Sequence, residues 1–202
     1  MLVRKGRSFR DAGFSLVEML VVMSLIGILT VTFYTLFVTS FTGYLNLQKQ
    51  SSSFTQATIH SSRVANVIRG LTDITIAKDS ELEVFAYFYP SDAYVSKVRY
   101  YTTTVNGTQQ LRADLTPMTA DPPIGTPITA QMRTLTIIES FYNPVNTPLF
   151  TYINAANAVL TTPVTDFSAI KSVKIQMSTK VDTLEKQSIS TQVMLRNRKT
   201  NL

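Results

Sequence analysis

Gly13-Phe14-Ser15-Leu16-Val17-Glu18-Met19-Leu20 opens an apolar run that continues to about Phe41. Between Asp11 and Lys49 the only formal charge is Glu18. A membrane helix needs ~20 apolar residues, so this run can span a bilayer and still protrude. As one helix, Phe14 to Phe41 is ~42 Å long at ~1.5 Å per residue, more than a ~30 Å hydrocarbon core requires. An acid inside such a helix opposes insertion, but the Leu, Ile, Val and Phe side chains between Phe14 and Leu36 outweigh it. Intramembrane acids usually have a partner or a function. Glu18 is therefore a candidate functional residue.

Arg4, Lys5, Arg7 and Arg10 precede the run, with Asp11 the one acid among them. Short basic flanks stay in the cytoplasm, which predicts export of the rest of the chain. A secretory signal carries a small-residue cleavage site after its apolar core. Here the small residue, Gly13, comes before it, and nothing like Ala-x-Ala follows.

Basic leader, Gly13, Phe14, Glu18 and a long apolar helix together resemble the N-terminal methylation motif of type IV prepilins and type II secretion pseudopilins. The resemblance implies cleavage between Gly13 and Phe14 by a prepilin peptidase, N-methylation of Phe14, and polymerisation of the helices into a filament core. It also implies that Glu18 neutralises the new amine of a neighbouring subunit. Such a pair is stronger in hydrocarbon than in water because the effective dielectric is low.

The 202 residues have room for one anchor and one globular domain. Of the formal charge of +6, the leader holds four basic residues and one acidic, so +3 remains after cleavage and a basic-protein argument for nucleic acid weakens. The absence of cysteine excludes disulfides, thiol catalysis and Cys-type zinc sites.

After Thr42 the chain turns polar while keeping a helical rhythm. Leu47, Phe54, Ala57, Ser61, Val64, Ile68 and Leu71 fall on one face, an amphipathic continuation of the anchor. Arg69-Gly70 suits a helix end, with a cation near the negative terminus and a residue tolerant of left-handed geometry. The expectation is one helix from about Phe14 to Arg69, weakened where it leaves the membrane at Gly43.

Beyond Gly70 the period becomes two. Ile74 and Ile76, then Leu82, Val84 and Ala86, predict two strands, with Phe85–Tyr89 running up to Pro90. Lys97–Thr102, Asn106-Gly107 and Gln110–Arg112 predict a hairpin, since Asn-Gly suits a type I′ turn. Pro117–Pro127 reads as a loop, and Arg133–Glu139 as a further strand. A second irregular region contains a short strand at Leu149–Ile153 and an Asn/Ala-rich stretch open to a helical reading. Val173, Ile175 and Met177, then Ile189, Thr191, Val193 and Leu195, predict a terminal hairpin joined through Val181–Lys186.

Asp73, Asp79, Glu81 and Glu83 lack the spacing of a calcium loop and read as solvated turn residues. His60, the one histidine, has no metal cluster or triad near it in sequence. Phe85–Tyr89 and Tyr100-Tyr101 read as sheet core before they read as a base-stacking platform. Arg196, Arg198 and Lys199 read as a solvated terminus.

Val193-Met194-Leu195-Arg196-Asn197 and Val98-Arg99-Tyr100-Tyr101 leading to Leu111-Arg112 resemble the J-type minor pseudopilins and the prepilin-like W class. The expectation is an α+β protein with a long N-terminal helix packed on an antiparallel sheet. Its segments are a leader at 1–13, a membrane helix at 14–41, an amphipathic continuation at 42–70 and an exported β-rich domain at 71–202. The family resemblance implies a non-catalytic minor subunit, without cofactor or metal, in the cytoplasmic membrane and then in an extracytoplasmic filament. Its implied partners are the prepilin peptidase, other pilin or pseudopilin subunits, and an assembly ATPase with its platform proteins. The alternative is a pilus subunit whose globular domain binds DNA or a surface.

Overall fold

The computed structural model describes residues 15–144, 146–179 and 187–195. The basic leader, Gly13, Phe14, the Val181–Lys186 connection and the Arg196, Arg198 and Lys199 cluster lie outside the described residues. The chain forms two compact units, one ending at Leu47 and the other beginning at Gln48.

One helix, α1, runs Leu16–Arg69 without a break at Gly27 or Gly43. No atom lies within 4 Å of the place a Cβ would occupy at either glycine, so the chain itself makes no use of their small size. In the first unit every described side chain is exposed. Residues such as Phe33 and Met23 are about 70% accessible, and the helix is long and apolar enough to cross a membrane. Ser24, Thr30, Thr32 and Thr42 donate their hydroxyls to the carbonyl four residues back, so these polar side chains are satisfied without water.

In the second unit the helix buries Ala57, Ser61, Val64, Ala65, Val67 and Ile68. The face expected from periodicity is corrected at its start: Leu47 and Phe54 remain exposed. At the other end Gly70 does not adopt left-handed geometry. The Leu71 amide instead bonds the Ile68 carbonyl at 3.2 Å, so a tightened i→i+3 turn closes the helix.

The five strands β1 (Asp73–Ala77), β2 (Glu81–Ala86), β3 (Ser96–Val105), β4 (Thr108–Pro117) and β5 (Arg133–Phe141) form an antiparallel meander in chain order. The hairpin at Asn106-Gly107 is as expected, with φ of 51° and 77° supplying the type I′ geometry. β6 (Phe150–Ile153), β7 (Ser172–Thr179) and β8 (Gln187–Met194) form a second antiparallel sheet that includes the predicted terminal hairpin.

Alternation decides which face is inside. Leu82 and Val84 on β2, Val98 and Tyr100 on β3, and Leu111, Ala113 and Leu115 on β4 join Val64 and Ile68 of the helix and Val173, Ile175 and Val193 of the second sheet in one core. Each fully buried aliphatic side chain contributes roughly 1.5–3 kcal/mol.

The sheets are also joined through polar groups. The β1–β2 turn is clasped by the Tyr152 hydroxyl, which donates to the Lys78 carbonyl at 2.9 Å, and by the Leu149 and Phe150 amides, which donate to the Asp79 carbonyl. Burial, with the nearby Asp79 charge, holds the Tyr152 phenol well above its ordinary pKa, so it remains a donor.

Two further expectations are corrected. The Asn/Ala-rich stretch is not helical: Asn154 Oδ1 accepts from the Ala156 and Ala158 amides, an Asx-type turn that competes with helix, and Asn157 has φ 59°. β2 stops at Ala86, and Phe88 enters the core while Tyr87 and Tyr89 stay exposed.

Candidate processing and assembly site

The first turn of α1 is closed by its own side chains. The Ser15 amide donates to Glu18 Oε2 at 2.9 Å, and the Glu18 amide donates to Ser15 Oγ at 3.2 Å. The Met19 amide bonds the Ser15 carbonyl at 3.1 Å, starting the helical ladder. This is a capping box: Ser15 precedes the first helical residue and Glu18 reaches back to it. The sequence carries this signal as Ser15-x-x-Glu18, which hydropathy alone does not register.

The arrangement fixes where the negative charge sits. Glu18 lies at the positive end of the helix dipole, against the residue that follows Phe14. A carboxylate has about four acceptor sites, so the Ser15 bond leaves capacity for a cation brought by another chain. Glu18 is exposed within this chain, and the side chains from Leu16 to Leu47 are exposed with it. The first unit of the helix thus presents one carboxylate on an otherwise uncharged, mostly apolar surface.

The model of the prokaryotic N-terminal methylation motif matches residues 8–34, a span that takes in Gly13, Phe14, Ser15 and Glu18. The motif marks a type IV pilin-like prepilin. No curated protein and no solved structure matches the chain. For a prepilin of this kind the motif implies peptidase processing and assembly with other pilin subunits at a membrane.

The acids, the histidine and the aromatic residues singled out beyond the helix start lie in the second unit. Glu81 and Glu83 are not solvated turn residues. They sit on β2, where Glu81 meets Lys78 and Arg99 at 2.7 Å each and Glu83 meets Lys97 at 3.0 Å. The hydrogen bond from Lys78, with help from Arg99, holds the Glu81 carboxyl below its usual range. Among the described residues no group of three His, Cys, Asp or Glu side chains is placed to hold a metal ion.

Half-buried His60 lies near Arg63, whose guanidinium stands 5.2 Å from the centre of the Phe88 ring. Tyr100 is in the core, whereas Tyr101 lies under Arg99, with its ring centre 4.9 Å from the guanidinium. The aromatic cluster is therefore divided between core and surface.

Proposed function

We propose that this prepilin is cut between Gly13 and Phe14, N-methylated on Phe14, and assembled as a non-catalytic minor subunit of a type IV pilus-like or pseudopilus filament. The carrying observation is the single carboxylate, Glu18, on an apolar helix surface that the chain leaves uncovered. The leader at 1–13 holds the cytoplasmic side, 14–41 lies in the membrane, 42–70 continues the helix, and 71–202 is exported. In the filament Glu18 accepts the amine of a neighbour's Phe14. The pairing offsets the cost of a lone charge in hydrocarbon and makes it an assembly signal.

The experiment is intact mass and N-terminal sequencing of the protein from its native membrane, with and without the peptidase. The expected product starts at N-methylated Phe14, and a chain that keeps Met1 removes the processing assignment. A Glu18→Val variant is expected to insert and be cleaved but to be lost from sheared filaments. Normal incorporation of that variant would remove the charge-pair role while leaving the processing result untouched.

A further inference from the structure

The start of β3, the end of β4 and the start of β5 lie side by side, with Ser96 opposite Pro117 and Leu115 opposite Arg133, and line a cleft of about 360 Å³. That volume falls at the low end of the ~300–1,000 Å³ of small-molecule sites. Buried Leu115 and Met118 supply apolar lining, and Tyr89 and Tyr94 reach it from the β2–β3 connection, 41% and 47% exposed. Asp92, Gln131 and Arg133 supply polar lining.

The walls are held by the chain itself. Asp121 Oδ1, from the β4–β5 connection, accepts the Val95 amide at 2.9 Å and so ties that connection to the one between β2 and β3. The Ile128 amide bonds the Pro117 carbonyl at 2.8 Å. Tyr89 and Asp92 close a turn, the Asp92 amide donating to the Tyr89 carbonyl at 3.1 Å and Asp92 Oδ2 accepting the Tyr89 amide at 3.0 Å. A Cβ at Gly125 would collide with the Ala120 carbonyl, so the β4–β5 connection folds back as tightly as glycine permits. A cleft built in advance loses less on binding than one that must first be ordered.

What remains uncommitted in the lining is mixed in charge. Among the described residues the Tyr89 and Tyr94 hydroxyls, the Gln131 carboxamide and the Arg133 guanidinium have no hydrogen bond or ion pair, and Asp92 keeps Oδ1 free. Asp92 and Arg133 line one cleft without pairing with each other. One charge of each sign selects no net charge in an occupant. Donors and acceptors together call for groups that do both, as a hydroxyl does. A compact zwitterion would match Asp92 and Arg133 but leave both phenols and Gln131 to water. A sugar ring carries enough hydroxyls for all of them, and its C–H face suits a tyrosine ring that is apolar in body and polar at its tip.

We propose that this cleft binds a neutral carbohydrate, its hydroxyls shared among Asp92, Gln131 and Arg133 and its C–H face set against Tyr94. The site lies in the second unit and does not depend on the N-terminal processing site.

The test places the full-length chain, in a polyoxyethylene detergent that carries no sugar, on an array of neutral and acidic oligosaccharides. Glycans that bind are then titrated with the wild type, Tyr94→Ala and Arg133→Gln. Melting temperatures of the three proteins should coincide, because both side chains are exposed. The expected result is binding of neutral glycans that persists when salt is raised to about 0.5 M, since no net charge is paired. Each variant should bind at least about fivefold more weakly. Absence of glycan binding, binding confined to acidic glycans and lost in salt, or unchanged binding by either variant overturns the proposal. So does displacement of the glycan by glycine betaine, which would make the occupant a zwitterion.

Discussion

The two ends of α1 share one backbone and differ in what covers them. From Leu16 to Leu47 the side chains are mostly apolar and all exposed, whereas from Ala57 to Ile68 the helix buries a face made largely of Ala, Val and Ile. Helix propensity does not separate them. The difference is that the second half finds its apolar partners in its own chain, at Val98, Tyr100 and Val193, whereas the side chains of the first half stay exposed. A buried face must also satisfy its polar groups locally, as Ser61 does with Thr191. The uncovered half keeps hydroxyls on its own carbonyls and leaves one carboxylate, Glu18, exposed.

The comparison is broken most strongly by removing a side chain from each half. Ile68 is fully buried, so Ile68→Ala should destabilise the second unit by about 2–5 kcal/mol, through lost burial and the cavity left behind. Leu29, 56% exposed, has little packing within the chain to lose. Leu29→Ala should leave stability unchanged within about 0.5 kcal/mol. Denaturant unfolding of both variants in detergent, followed through the sheet signal, makes the contrast. Equal losses would mean that the first half is packed on its own chain after all.

A smaller effect isolates the polar contact. Ser61 Oγ and Thr191 Oγ1 are 3.0 Å apart, and Ser61 is fully buried. Thr191→Val keeps the volume and removes the partner, so the expected loss is about 1–3 kcal/mol, and a Ser61→Ala change in the same chain should recover part of it. A double-mutant cycle with no coupling would show that the two hydroxyls do not depend on each other.

Much of this contrast was legible in the sequence because hydrophobic pattern reports it directly. An uninterrupted apolar run is different from one with Ser61 and Arg63 set among Ala57, Val64 and Ile68, and period-two alternation in Val173, Ile175 and Met177 marks a half-buried strand. Asn106-Gly107 was legible because few residue pairs accept two positive φ angles. What escaped depends on contacts between distant segments. Glu81 and Glu83 look like turn acids until β3 brings Arg99 and Lys97 diagonally across from them into ion pairs, and Phe54 looks buried until the packed stretch is seen to begin only at Ala57. The Asn154 turn was hidden for a local reason, since a side chain competing with helix bonds leaves no trace in periodicity. At the candidate site Glu18 is legible by its charge, whereas its bond to Ser15 is written in the capping pattern Ser15-x-x-Glu18 and not in hydropathy.

The smallest expected effect is a titration confined to the packed half. Burial, and then the nearby charge of Arg63, push the His60 pKa below its ordinary value of 6.5. The unfolded chain, with a pKa near ~6.5, therefore binds a proton that the folded chain refuses over the interval between the two values. Stability contributed by neutral His60 is present above about pH 6.5 and is lost as pH falls through that interval, levelling off below the folded value. Melting temperature recorded from pH 8 to pH 5 should show this shallow step, and His60→Gln should flatten it. The step belongs to the second unit, so substitutions confined to the exposed half, such as Leu29→Ala, should leave it in place. A flat profile in the wild type, or a rise toward acid, would mean that His60 faces solvent and that the packed half extends over less of the helix than Ala57 to Ile68.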